Sequence, residues 1–151
     1  KVEVRDWKKN LIVESIGPLL AALMANEGTL ITGGIQYHAL GHGDASWDIG
    51  LPPASPTDVA LYDEHFRKQP DSINYLTPSN AISPTVTHKI EVTTTFDYGD
   101  SGADGSIREQ GLFGGNATVA TDSGYMIDVI RHPEIYKDGT IKLIRRIRLT
   151  F

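Results

Sequence analysis

The sequence predicts an α+β fold dominated by antiparallel strands, a β-sandwich-like domain with one or two short helices. Three observations predict it. Val86, His88, Ile90, Val92, Thr94 and Phe96 alternate with Thr87, Lys89, Glu91, Thr93, Thr95 and Asp97, the two-residue period of a strand with one buried face. Several other short apolar runs are bounded by Gly, Asn, Asp and Pro, the punctuation of strand and turn. One Leu/Ala run carries helical spacing. At 151 residues the chain can enclose one core without a covalent staple, so a single domain over 1–151 is expected.

Along the chain, Asn10 to Glu14 reads as a short strand, and Ser15-Ile16-Gly17-Pro18 as a turn with proline at a first helical position. Leu19, Leu20, Leu23 and Met24 then recur at helical spacing until Asn26-Glu27-Gly28. A longer helix from Asp6, kinked at Pro18, is the alternative. Ile35 to Leu40 reads as a strand ended by Gly41-His42-Gly43-Asp44. A Pro-rich surface excursion from Gly43 to Pro56 follows, with Trp47 as its anchor. Thr57 looks like an N-cap, and Val59, Ala60, Leu61 and Phe66 predict a helix from Asp58 to about Lys68, before Pro70.

The second half is β-rich. After the strand Val86–Phe96 comes a Gly/Asp loop over 97–105, then a strand from Ser106 to Phe113 that pairs with it as a hairpin. Tyr125–Ile130 and Thr140–Phe151 are two further strands, separated by His132-Pro133 and the turn Lys137-Asp138-Gly139. In the last strand Ile141, Leu143, Ile147, Leu149 and Phe151 share one parity, but Arg145 falls on it and Ile144 falls opposite. A β-bulge near Ile144 is the preferred reading; a regular strand that buries Arg145 is the alternative. The terminal Leu149-Thr150-Phe151 is expected to join the core.

Composition narrows the function. With 40% hydrophobic and 22% charged residues the chain is ordinary globular material, which excludes a disordered chain, a collagen repeat or a coiled coil. No cysteine is present, so disulfides, thiolate metal sites and cysteine nucleophiles are excluded. No apolar run is long enough to span a bilayer, and the opening Lys1-Val2-Glu3-Val4-Arg5 does not read as a secretory leader, so no membrane partner is expected. A formal charge of −5 and a pI near 5.4 are opposite in sign to a phosphate-binding footprint, so no nucleic-acid partner is expected either. The charge is uneven: Asp97, Asp100 and Asp104 share one loop, while Lys137, Lys142, Arg145, Arg146 and Arg148 crowd the C-terminal end. Such patches suit subunit contacts, or they are only solvated surface.

The chemistry-bearing residues do not assemble into a catalytic pattern. His38 and His42, with Asp44 and Asp48 nearby, match no metal spacing and would stand about 13 Å apart along a strand. Asp97, Asp100 and Asp104 lack the spacing and terminal Glu of a calcium loop. Ser101, Ser106 and Ser123 lie in no G-x-S-x-G elbow, and no phosphate loop occurs. Arg108-Glu109 reads as a structural ion pair rather than half of a carboxylate dyad. No catalytic residue, cofactor or metal is assigned, and no enzyme is expected.

Four blocks carry a family resemblance: Pro18-Leu19-Leu20-Ala21-Ala22-Leu23; Ile35-Gln36-Tyr37-His38-Ala39-Leu40-Gly41-His42-Gly43; Thr57-Asp58-Val59-Ala60-Leu61 with Phe66-Arg67; and Ser106-Ile107-Arg108-Glu109-Gln110-Gly111-Leu112-Phe113. In that order the chain resembles bacteriophage tail-collar and tail-fibre proteins in their N-terminal, particle-attaching part. Physically, Gly111 makes room for a close backbone or ring, Leu112 and Phe113 pack beyond it, and Arg108 and Glu109 point to opposite faces. Unlike the fibre proteins, the sequence does not continue into a repetitive shaft. The resemblance implies a virion location and an attachment or assembly role on a tail, collar or fibre; capsid decoration is the alternative. The partners are then other virion proteins and copies of the chain itself, a trimer being one hypothesis, through Trp47, Asp97, Asp100, Asp104, Arg145, Arg146 and Arg148. A carbohydrate-binding module using Trp47, Tyr37 and Tyr62 as stacking platforms is a further rival.

Overall fold

The computed structural model describes residues 8–17, 20, 23 and 33–151. Among them lie eight strands: β1 (Leu11–Ile12), β2 (Ile35–Gly41), β3 (Glu64–Lys68), β4 (Ser72–Tyr75), β5 (Lys89–Phe96), β6 (Gly105–Gly114), β7 (Tyr125–Lys137) and β8 (Leu143–Thr150). All pair antiparallel, in a five-stranded sheet ordered β1-β7-β6-β2-β3 and a three-stranded sheet ordered β4-β5-β8. Single 3-10 turns at Ala45–Asp48 and Ser101–Ala103 punctuate the β2–β3 and β5–β6 loops.

The alternation in β5 has the consequence the sequence predicts: Val92, Thr94 and Phe96 are buried. Val92, with Ile147 and Leu149 of β8, packs against Leu112, Ile127 and Ile130 of the larger sheet. A second inter-sheet cluster joins Leu40, Phe96, Ala103 and Ile107. Each such side chain, fully buried, contributes about 1.5–3 kcal/mol. The other face of the five-stranded sheet is also covered: Ala39, Phe113, Met126 and Val129 lie beneath Leu61, Ala54 and Ala117, which come from loops. That two-sided cover is why β6 is buried continuously from Ile107 to Gly114 instead of alternating. Gly111 is the close approach that the sequence anticipates, since a Cβ there would stand 2.8 Å from the backbone oxygen of Asp128.

Several expectations are corrected. The helix expected over Asp58–Lys68 is an irregular stretch followed by β3, which pairs with β2 through Phe66 opposite Leu40. Long-range pairing overrides the local helical spacing there. The 86–96 and 106–113 strands do not form a hairpin: β5 pairs with β4 and β8, and β6 belongs to the other sheet. His132-Pro133 does not separate strands but lies inside β7, where the ladder passes from Ile107↔Ile135 to Glu109↔Arg131. The extra residues of β7 loop out around a proline that has no N–H to donate.

No bulge occurs near Ile144. The β5–β8 ladder runs unbroken from Lys89↔Thr150 to Phe96↔Leu143, so Ile144 faces solvent and Arg145 points inward. The core contribution of the last strand ends at Leu149, and Phe151 is exposed. Of the helix expected after Pro18, Leu20 and Leu23 have helical backbone, as do Ile16 and Gly17; the remainder lies outside the described residues.

Candidate interaction surface

Between β2 and β3 the chain makes its long excursion, and three charged residues of β6 and β7 hold it down. Arg108 clamps the 3-10 turn by donating to Asp48 from Nε at 3.1 Å and from Nη2 at 2.8 Å. It also reaches the His42 carbonyl at 3.3 Å and the Glu134 carboxylate at 3.0 Å. Glu109 accepts the backbone N–H groups of Tyr62 at 3.0 Å and Asp63 at 2.8 Å. Arg131 donates to the Pro53 carbonyl at 2.8 Å and to Asp58 at 3.0 Å. Its guanidinium also stands 5.1 Å from the Trp47 ring centroid. Buried carboxylates and guanidiniums persist only when paired in this way.

Arg108 and Glu109, neighbours in sequence, neither pair with each other nor serve opposite faces: both reach the excursion. The ladder irregularity between Ile107 and Glu109 makes this possible. Glu109 itself is buried; burial pushes its carboxyl above the usual range, and the two backbone donors oppose that shift. Gly41 is where the carboxylate passes the backbone of β2, in space that a Cβ would fill.

Braced from below, the excursion turns large apolar side chains outward. Ile49 is 97% exposed, Val59 67% and Tyr62 64%, with Leu51 beside them in sequence. Isolated exposed apolar residues are ordinary; here three stand outward from one fixed loop, the kind of surface a partner can cover. Trp47 is not part of it: only 7% exposed, it packs against Tyr62 with ring centroids 5.5 Å apart. As expected it anchors the excursion, its ring enclosed between Tyr62 and the Arg131 guanidinium.

The acidic loop and the basic end of the chain meet each other. Lys142 reaches Asp97 at 3.1 Å, Lys68 reaches Asp100 at 2.7 Å, and the fully buried Lys137 reaches Asp104 at 2.6 Å. Asp100 is held below the usual carboxylate range, chiefly by the Lys68 hydrogen bond. The three carboxylates therefore go to three separate lysines, and do not converge as calcium ligands would. Arg148 pairs with Glu91 across the ladder at 2.8 Å, whereas Arg146 lies exposed on β8 opposite Thr93.

Arg145 crosses the inter-sheet space and donates from Nε to Gln110. The same Gln110 oxygen stands 3.3 Å from His38 Nε2, and His38 Nδ1 is 2.9 Å from the Thr94 hydroxyl. Burial, reinforced by the Arg145 charge, lowers the His38 pKa to about 3. Arg145 is itself lowered to about 10 by burial. His42 diverges from His38, stacking on His65 with centroids 3.8 Å apart and bonding Asp63 at 3.2 Å. Among the described residues no group of three or more His, Asp or Glu side chains is arranged to hold a metal ion.

One further buried acid was not singled out from the sequence. Asp128, fully buried in β7, accepts the Leu112 N–H at 2.9 Å and a long 3.5 Å contact from Asn10. Burial pushes its pKa up to about 7. Its signal in the sequence was an acidic residue inside the apolar run Met126-Ile127-Asp128-Val129-Ile130.

These features define a mostly antiparallel β protein of two packed sheets, with an internally braced surface loop. No family model matches the chain, and no curated protein matches it significantly.

Proposed function

We propose that the chain is a non-catalytic structural component of a bacteriophage-type particle, a single β-sandwich domain that joins copies of itself or neighbouring virion proteins at a tail, collar or fibre attachment. The sandwich reading rests on the shared inter-sheet cluster of Val92, Ile147 and Leu149 with Leu112, Ile127 and Ile130. The observation that carries the functional reading is the braced excursion. Arg108, Glu109 and Arg131 fix a loop whose large outward side chains, Ile49, Val59 and Tyr62, are apolar. Charged groups that could have served a reaction are engaged in holding backbone and loops, which is what a mechanical part requires. The four resembling sequence blocks direct the reading toward tail attachment, with capsid decoration as its variant.

The test is a paired substitution, Ile49→Asp with Val59→Asp, on side chains that touch no core cluster. The variant should keep the parent's thermal transition and lose incorporation into particles. Incorporation at the parent's level would remove the excursion from the assembly surface.

A further inference from the structure

We propose that the stacked rings of His42 and His65 form an acid-operated clasp at the foot of the excursion, closed while His65 is neutral and opened when both rings take up protons. The clasp is a property of the isolated chain; only its consequence, a contact surface that loosens in acid, rests on the assembly reading.

Three observations lead there. First, the pair sits where the excursion leaves the larger sheet and returns to it. The His42 N–H donates to the Asp63 carbonyl at 2.9 Å, and His42 Nδ1 stands 3.2 Å from the Asp63 carboxylate. His65, on β3, carries the ring on which His42 lies, with centroids 3.8 Å apart and planes inclined by 20°. Second, the two rings differ in environment. The His42 side chain is 40% exposed and has a carboxylate beside it. Both ring nitrogens of His65 are closed off from solvent and make no hydrogen bond among the described residues. Third, the surrounding charges are already engaged. Glu109 is turned to the Tyr62 and Asp63 N–H groups, and Arg108 holds the His42 carbonyl. Asp104 is taken by Lys137, and Glu64 by Arg67. Ala103 and Gly105 bring only backbone.

A proton on His42 has Asp63 and water to offset it. A proton on His65 would be buried, short of hydrogen bonds and stacked on a second cation. Burial first, then the His42 charge, hold the His65 pKa down to about 4, against smaller opposing effects of Asp63 and the Ala103 backbone. Parting the rings returns His65 to water and to its ordinary value of 6.5. The open form therefore binds the extra proton, and the closed clasp is weakened as pH falls from about 6.5 toward 4. Between pH 7 and pH 5 the open population should rise about twentyfold.

The experiment is site-resolved amide exchange of the full chain by NMR at pH 7 and pH 5, converted to opening equilibria with the intrinsic rate at each pH. The His42 and Asp63 amides, which bond across the foot, should open at least about tenfold more at pH 5. His65→Phe keeps a flat ring against His42 but takes up no proton. In that variant the response of the two amides should vanish, while β5 amides respond as in the parent. Persistence of the response in His65→Phe would assign it to Glu109, the buried carboxyl at the same foot, and overturn the clasp. An unchanged pair of amides in the parent overturns it too, as does opening that matches β5 at both pH values, which would mark unfolding of the whole chain. The His65 ring resonances of the parent give an arm that needs no variant: they should titrate below pH 5, and titration near 6.5 would show a ring already in water and overturn the proposal. Neither arm uses a particle, so failure of the clasp leaves particle membership untouched, and absence from particles leaves the clasp result intact.

Discussion

The Glu109 carboxylate accepts the backbone N–H of Asp63 at 2.8 Å, tying the far end of the excursion to the central strand of the larger sheet. Its other oxygen takes the Tyr62 N–H. A carboxylate offers acceptors only, whereas a glutamine would turn an N–H₂ toward one of these donors. Glu109→Gln should therefore cost about 1–3 kcal/mol in urea unfolding and speed proteolysis within residues 49–62. Unchanged stability and an unchanged digestion pattern would contradict the bracing role.

Trp47→Ala should cost about 3–5 kcal/mol, because the ring is enclosed against Tyr62 and Arg131 and its removal leaves a cavity. Thermal unfolding of the isolated protein measures this. A variant that folds with parental stability yet fails to assemble would return Trp47 to the interface.

Asp128 makes stability fall as pH rises. Its pKa is about 7 in the folded chain against an ordinary 3.8, so between these values the folded state holds a proton that the unfolded state has released. Stability from this group is complete below about pH 4, declines through pH 7 and is level above it, a difference of about 2–4 kcal/mol. Asp128→Asn should remove the decline: near-parental stability at pH 4 and a clear gain at pH 8. Urea titrations at the two pH values decide, and equal effects at both would contradict the buried, protonated acid.

His38 acts in the opposite direction. With its folded pKa near 3, below the ordinary 6.5, the unfolded state binds the extra proton, so stability is lost as pH falls from about 6.5 toward 3. His132 and His65, both lowered to about 4 by burial first of all, add to the same trend. Arg145→Leu should raise the His38 pKa by removing a neighbouring cation, yet leave it below 6.5 because burial dominates. Its stability cost should be small, about 1–2 kcal/mol or less, since replacing a buried charge by an apolar group of similar volume is often neutral. Histidine ring resonances followed by NMR through an acid titration give the shift; an unmoved His38 would place Arg145 elsewhere.

The parts of the fold legible in the sequence were those set by local periodicity. β5 could be read from its alternation, and β2 and β6 from apolar runs between glycines. Residues 58–68 were not legible, because Val59, Ala60, Leu61 and Phe66 satisfy a helical spacing while their true neighbours lie far along the chain: Phe66 beside Leu40, Leu61 against Phe113 and Val129. Arg145 misled in the other direction. A charged residue on an apolar parity suggested a bulge, when Gln110 and the space between the sheets accommodate it without one.

The site residues were hidden for the same reason. Glu109 and Arg131 bind partners 46 and 78 positions away, which no motif spacing reveals. Asp97, Asp100 and Asp104 were visible as an acidic cluster, but their pairing with Lys142, Lys68 and Lys137 depends on the fold.

Quantitative mass spectrometry of purified particles, beside light scattering of the isolated chain, tests the structural role most directly. The chain should be present in every particle preparation at one fixed ratio to the major head protein, low for a tail or collar part and high for capsid decoration. A chain absent from particles, monomeric on its own and able to turn over a substrate would contradict it.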